Sequence, residues 1–323
     1  MSRYEIVPPD ERPNKSERQT PSATPQTPVE PELTPEERSE RAQAHRLKVT
    51  RWLCEGFEAG TANACLIGPG VAGHVDLSSM LAHFSELHIV DVEQANVDQA
   101  FEAVGLSSDS VGVTIHQDLF GLQSILGDLE TRSEESELRF HDVQEAVMAA
   151  HAMPEWPLDQ EFDIVFSAEN VGWILSRCAA VIGHEHPSFQ ELSKAVFVRH
   201  MRELVRLGTE QGIGIIINQL VNSKVMPSLP KVPDNQLELV LSELVTKKLI
   251  PAGSSPVKMR DVLVHDQEIR QVFAKIHLLR PWVFDAGAIQ YAMSGVSYRV
   301  QPPSADLDSE EPEEKSSEES SDT

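Results

Sequence analysis

From about residue 34 onward, short apolar runs of four to six residues alternate with longer segments whose apolar positions fall three and four apart. This is the rhythm of buried strands alternating with amphipathic helices. Thr34-Pro35-Glu36-Glu37 predicts a helix start: Thr34 caps, Pro35 suits the first turn, and Glu37 completes a capping box. Val49, Trp52, Leu53 and Phe57 share one side of that helix, and Gly60 is placed to end it. The run 64–67 predicts a first core strand that enters a glycine turn. Leu77, Met80, Leu81 and Phe84 then recur at helical spacing, as if the turn opened a helix, and Leu87-His88-Ile89-Val90-Asp91 reads as the second strand.

The alternation continues with a helix over 94–104 ended by Gly105, a strand over 111–116, a polar stretch at 133–137 and a helix over 140–150. The runs 163–167 and 212–218 read as buried parallel strands with helices between them. Near the end, the runs 273–279 and 288–293 flank Asp285-Ala286-Gly287, which predicts a terminal antiparallel hairpin. The expected fold is therefore α/β: a Rossmann-like doubly wound, mostly parallel sheet with a C-terminal antiparallel hairpin. The segment 219–270, with Met226, Pro227, Pro230 and Pro233, falls where such folds place a cap over the site, and equally suits surface elaboration.

Composition narrows the picture at the ends of the chain. Residues 1–33 are rich in Pro, Ser, Thr and Glu and nearly free of apolar side chains, and residues 302–323 hold nine acidic residues against one lysine. Neither segment can bury enough apolar surface to offset the entropy of ordering, so both are expected to be disordered, flanking one domain over 34–301. With 51 acidic against 27 basic residues, a formal charge of −24 and no basic cluster interleaved with aromatics, a nucleic-acid partner is disfavoured. No apolar run is long enough to span a bilayer and the N-terminus lacks a signal-peptide pattern, so a cytoplasmic location without membrane association is expected. Cys54, Cys65 and Cys178 are odd in number and far apart, as reduced thiols rather than a disulfide framework or a zinc site.

Candidate chemistry gathers at the glycine turn. Gly68, Gly70 and Gly73 match the G-x-G-x-x-G spacing of a nucleotide-binding turn, and Asp91 lies 18 residues beyond Gly73 at a strand end, where a carboxylate can hold ribose hydroxyls. Asp91 also fits a loop carboxylate capping the next helix. Asp118 suits either an adenine contact or a turn before Gly121. Glu169 and Asn170 follow the fourth strand, where Glu169 could serve as a general base and Asn170 as a helix cap. His184-Glu185-His186 pairs two imidazoles, but no third residue stands at metal-ligand spacing, so no metal is expected. Trp282 and Tyr291 suit either a substrate pocket or hairpin packing.

The succession resembles the class I S-adenosylmethionine-dependent methyltransferases, and in local form an uncharacterised bacterial group of them. The likeness rests on Leu66-Ile67-Gly68-Pro69-Gly70, Ile89-Val90-Asp91, His116-Gln117-Asp118-Leu119 and Phe162-Asp163-Ile164-Val165-Phe166-Ser167, and spans roughly 34–300. It implies S-adenosylmethionine as cofactor, with the backbone of Gly68 and Gly70 against its methionine and ribose portion and Asp91 on the ribose hydroxyls. Asp118 would accept from the adenine amino group, Leu119 would pack beside the ring, and Ser167 would lie at the rim where methyl transfer takes place. Two positions depart from the family pattern: Leu66 stands where an acidic residue is usual, and Ala72 where the third glycine falls. No Asn-Pro-Pro-Tyr or Asp-Pro-Pro-Tyr motif fixes the acceptor.

The function these features imply is S-adenosylmethionine-dependent methylation of an unidentified acceptor, a small molecule before a protein. The Gly73 spacing keeps open a nicotinamide-dependent oxidoreductase, and Leu66 keeps open a non-catalytic binding or scaffold protein.

Overall fold

The computed structural model describes residues 34–68, 70–91, 94–102, 105, 113–115, 123–135, 138–152, 160–247, 255–269 and 273–300. The terminal segments 1–33 and 302–323, together with Asp118 and Leu119, lie outside the described residues. Strands β1 (Asn63–Ile67), β2 (Glu86–Val90), β3 (Val113–Ile115), β4 (Phe162–Ala168) and β5 (Gly208–Asn222) are parallel, and β6 (Phe273–Asp285) and β7 (Gln290–Val300) form an antiparallel hairpin. They build one seven-stranded sheet in the order β3-β2-β1-β4-β5-β7-β6, with β7 antiparallel to β5. The crossovers change sides at the β1/β4 boundary, so the strand order reverses there and opens a crevice beyond the carboxyl ends of the strands. This Rossmann-like sheet with its closing hairpin is the class I methyltransferase-like arrangement that the resemblance implies.

Strand pleating sorts the core into two layers. Ala64, Leu66, Ile164 and Phe166 face helices α1 (Pro35–Cys54), α2 (Leu77–His83) and α3 (Gln94–Glu102). Cys65, Ile67 and Val165 face α4 (Gln123–Glu135), α5 (Phe140–His151), α6 (Asn170–Ile182), α7 (Phe189–Arg206) and α9 (Pro256–His265). A smaller apolar cluster over the β5–β7 edge is closed by α8 (Asp234–Thr246) through Leu237, Leu241 and Leu244. The segment 219–270 is thus divided: α8 covers the sheet's open end, and α9 packs underneath.

At the amino ends of β1 and β4, Asn63 and Asp163 clasp each other. The Asn63 N–H donates to Asp163 Oδ2 at 3.0 Å, and the Asp163 N–H donates to Asn63 Oδ1 at 2.8 Å. The same two strands reach their other ends in step, with Ile67 beside Ser167.

Several boundaries differ from the sequence reading for physical reasons. The capping box at Thr34 and Glu37 forms, but α1 ends at Cys54, where Gly56 (φ 91°) takes the left-handed position expected of Gly60. The glycine turn does not open a helix directly: a 3-10 turn, Val71–His74, intervenes, and α2 starts only at Leu77 behind Asp76, whose carboxylate accepts the Ser79 N–H at 3.1 Å. β6 runs six residues beyond the expected 279 because Arg280-Pro281 is absorbed by a register shift between Leu279 and Trp282. β6 is an edge strand, where a missing N–H is tolerated. The polar stretch near 133 closes helix α4, whose fully buried side chains among the described residues are Leu126 and Leu129, a sparse apolar signal.

Candidate cofactor and acceptor site

The carboxyl ends of β1, β2 and β4 converge on the glycine turn. The Gly68 N–H donates to Val90 O at 3.0 Å, and the Gly70 N–H donates to Asp91 Oδ2 at 2.7 Å, so β2 holds the turn of β1 by two bonds. Gly70 has φ 69° and ψ 18°, a left-handed conformation that costs an L side chain about 1–2 kcal/mol. A Cβ placed on it would meet nothing within 4 Å, so the requirement is conformational and the space above the turn is open. Asp91 is buried, with Asn96 Nδ2 at 3.5 Å from Oδ1. Asp91 thus anchors Gly70 from the end of β2.

Ser167 is placed otherwise than a rim residue. Its side chain lies on the opposite layer, 1% exposed, with Oγ 2.8 Å from Nε2 of His200 on α7. Burial pushes His200 down to about 3, which keeps that imidazole neutral. Only the backbone of Ser167 reaches the edge of the sheet. Leu66 is fully buried among Val71 and Ala72, so β1 presents no carboxylate next to the turn.

Glu169, two residues beyond Ser167, is the distinctive side chain of the edge. It adopts φ 54° and ψ 4°, a left-handed conformation in a residue with a Cβ, and makes no side-chain cap to α6. Its N–H is tied to Ile217 O at 3.0 Å and its carbonyl accepts the Trp173 N–H at 2.9 Å, so both neighbouring elements enforce the strained turn. Burial pushes its carboxyl up to about 7. Tyr291 at the start of β7 has its phenol pushed up by burial and by the Glu169 charge, which places the two in one electrostatic environment.

A cluster of rings joins α1, the 3-10 turn and the terminal hairpin. His45 of α1 stacks on Phe284 at 4.1 Å between centroids, and Phe284 stacks on Tyr291 at 5.8 Å. Lys48 Nζ lies over the rings of Trp282 and Trp52, at 4.9 and 5.3 Å. Trp282 Nε1 donates to His45 Nδ1 at 3.0 Å, and His45 Nε2 lies 2.9 Å from His74 Nδ1. Trp282 and Tyr291, read as pocket or packing residues, both belong to this cluster. His45, His74 and Phe284 were not expected, although His45 falls on the apolar stripe of α1 with Val49, Trp52 and Leu53.

His184, Glu185 and His186 form the turn between α6 and α7, where His186 Nδ1 accepts the Ser188 N–H at 3.1 Å. Among the described residues no group of three or more His, Cys, Asp or Glu side chains is placed to hold a metal ion, and no helix is long and apolar enough to cross a membrane. Cys54, Cys65 and Cys178 are free thiols.

No family model matches the chain, and none of the curated proteins does. Similar solved structures include the N-methyltransferase NodS from Bradyrhizobium japonicum WM9, with 10% identity over 83% of this chain and 96% of that one and a TM-score of 0.37. TrmN from Thermus thermophilus gives 11% identity over 81% and 52%, with a TM-score of 0.37. An rRNA methylase from Streptococcus thermophilus gives 9% identity over 79% and 95%, with a TM-score of 0.34. At these TM-scores the likeness carries no weight for chemistry, and the fold assignment stands on the strand order itself.

Proposed function

We propose that this protein is an S-adenosylmethionine-dependent methyltransferase acting on a small molecule with an ionisable O–H or N–H group. The observation that carries the reading is Glu169: a strained, desolvated carboxyl at the end of β4, one strand from the glycine turn at the end of β1. β1 and β4 are paired in register, with Ile67 beside Ser167, so the glycine turn and Glu169 stand at adjacent strand ends. S-adenosylmethionine supplies, when bound, a methyl group on a positively charged sulfur, which keeps the bonding pair on transfer.

Each residue of the edge has a part in this reading. The open backbone at Gly70 gives the cofactor close approach, and Asp91, beside the turn at the end of β2, takes its ribose hydroxyls. Asp118 and Leu119, expected at the adenine, lie outside the described residues, and Ser167 contributes backbone alone. Glu169 accepts the proton that the acceptor loses as it gains the methyl group. A carboxyl near 7 suits that task, because at neutral pH a large fraction is ionised and the remaining basicity is high. The strongly acidic chain favours a small acceptor over a nucleic acid.

The oxidoreductase alternative finds less support. A dinucleotide pyrophosphate needs a helix N-terminus directly after the glycine turn. Here a 3-10 turn follows, and α2 begins behind the Asp76 carboxylate, which repels phosphate.

Calorimetry on the full chain with S-adenosylhomocysteine and with NAD tests the reading. S-adenosylhomocysteine is expected to bind, and Asp91→Asn to weaken it by about tenfold or more, the worth of a charge-assisted hydrogen bond. Binding of NAD alone refutes the proposal, and binding of neither leaves the scaffold reading.

A further inference from the structure

The buried chain of Trp282, His45 and His74 joins β6, α1 and the 3-10 turn that follows Gly70. Its members sit in the apolar layer beside Val49, Leu53 and Val71, where polar atoms are costly unless bonded. An indole N–H is a donor only. His45 Nδ1 must therefore accept, which leaves the proton of the neutral ring on Nε2, and that proton is donated to His74 Nδ1. His74 in turn carries its own proton on Nε2. Burial holds His45 down to about 3, with His74, Arg46 and Lys48 adding to the effect, and burial holds His74 down to about 4, so both rings are neutral at physiological pH. The direction of every hydrogen in the chain is thus fixed by Trp282.

His74 is 8% exposed, yet its Nε2–H has no protein partner among the described residues, and Nε2 is not one of the sealed, partnerless atoms of the interior. It is an oriented donor within reach of solvent, four residues past Gly70. Arg46 and Lys48 of α1 act on His45 but are each faced by a carboxylate, Arg46 by Asp76 and Lys48 by Asp234, so what the turn offers here is a neutral, oriented donor rather than a net positive charge. On the other side of the turn, Leu66 offers no acid to a ligand's ammonium group.

We propose that Trp282 and His45 are positioning residues that lock His74 in its Nε2–H form, and that His74 donates this hydrogen bond to the carboxylate of the ligand seated on the glycine turn. The inference rests on the cofactor reading above and adds which end of the ligand is gripped: the amino-acid carboxylate, by a neutral imidazole on the helix side of the turn. A neutral donor suits a ligand whose sulfur is already positive, since a second fixed cation near the reacting centre would oppose its binding.

The test pairs S-adenosylhomocysteine with 5′-methylthioadenosine, which keeps the nucleoside and sulfur but lacks the amino-acid group. On the full chain, His74→Phe is expected to lower S-adenosylhomocysteine affinity by about tenfold or more, as for loss of a bond to a charged group, and to leave 5′-methylthioadenosine unchanged. His74→Gln, whose amide can still donate, is expected to restore part of the loss. Trp282→Phe is expected to release the tautomer of His74, read from its imidazole nitrogen resonances, and to lower only the S-adenosylhomocysteine affinity. Should His74→Phe fail to fold, the wild-type His74 resonances decide: they must shift with S-adenosylhomocysteine and stay with 5′-methylthioadenosine. Equal losses for the two ligands, or none, overturn the inference alone. A wild-type chain that binds neither overturns the cofactor reading and the inference with it.

Discussion

Replacing Glu169 by Gln removes a carboxyl that the fold holds protonated well above its ordinary range, and the stability of the protein should report this directly. Burial raises the group from 4.5 to about 7. Between those values the unfolded chain has released its proton and the folded one has kept it, so wild-type stability falls as pH rises through this window. At about 1.36 kcal/mol per pH unit, a gap of about 2.5 amounts to about 3 kcal/mol of native-state cost, complete above pH 8. Gln matches the shape of a protonated Glu and carries no charge at any pH in the range, so the variant escapes the cost. Urea unfolding of both proteins between pH 4.5 and 8 should show near-equal stability at the acid end and Glu169→Gln ahead by about 3 kcal/mol at the alkaline end. Methyl transfer, by contrast, should drop in the same variant. A stability difference that stays constant across the pH range refutes the burial argument, because only a titrating group produces the slope.

The buried pair on α7 offers a second measurement. Arg199 Nε donates to Glu203 Oε1 at 3.0 Å and its Nη1 to Ala149 O at 2.6 Å, both side chains nearly inaccessible, so Arg199→Met should destabilise by about 3–5 kcal/mol in urea unfolding. Arg199→Met with Glu203→Leu should recover most of that loss, since the stranded charge is then gone. At Gly295 a Cβ would run into the carbonyl of Ile216 on the neighbouring strand, a backbone atom that cannot move aside. Gly295→Ala is therefore expected to cost about 3 kcal/mol or more, seen as loss of the soluble folded protein or of most of the unfolding transition.

The sheet was legible in the sequence because its parallel strands are nearly continuous apolar runs and the Thr34 capping box is a local pattern. Glycine at 68 and 70 marked the turn, and Asp91 stands beside it at the end of β2. What escaped was non-local. His45, His74 and Trp282 lie up to 237 positions apart and meet only after α1 and the hairpin fold onto the same layer. The helix expected immediately after the glycine turn ignored how early Asp76 could claim the helix start. Ser167 drew attention because strand ends in this architecture carry function, yet pleating turns its side chain to the opposite layer. Glu169 was visible as a candidate base, but its left-handed backbone is imposed by Ile217 and Trp173, and no local sequence pattern announces it.

The clasp between Asn63 and Asp163 lies at the far end of the sheet from all of this chemistry, about 16 Å away at the usual rise of a parallel strand. It nevertheless acts as the zero mark of a ruler. A slip of one residue between β1 and β4 would turn every side chain of one strand to the other face, and would carry Glu169 out of alignment with Gly68. The alignment of the glycine turn with Glu169 is therefore calibrated by two small polar side chains at the opposite end of the sheet.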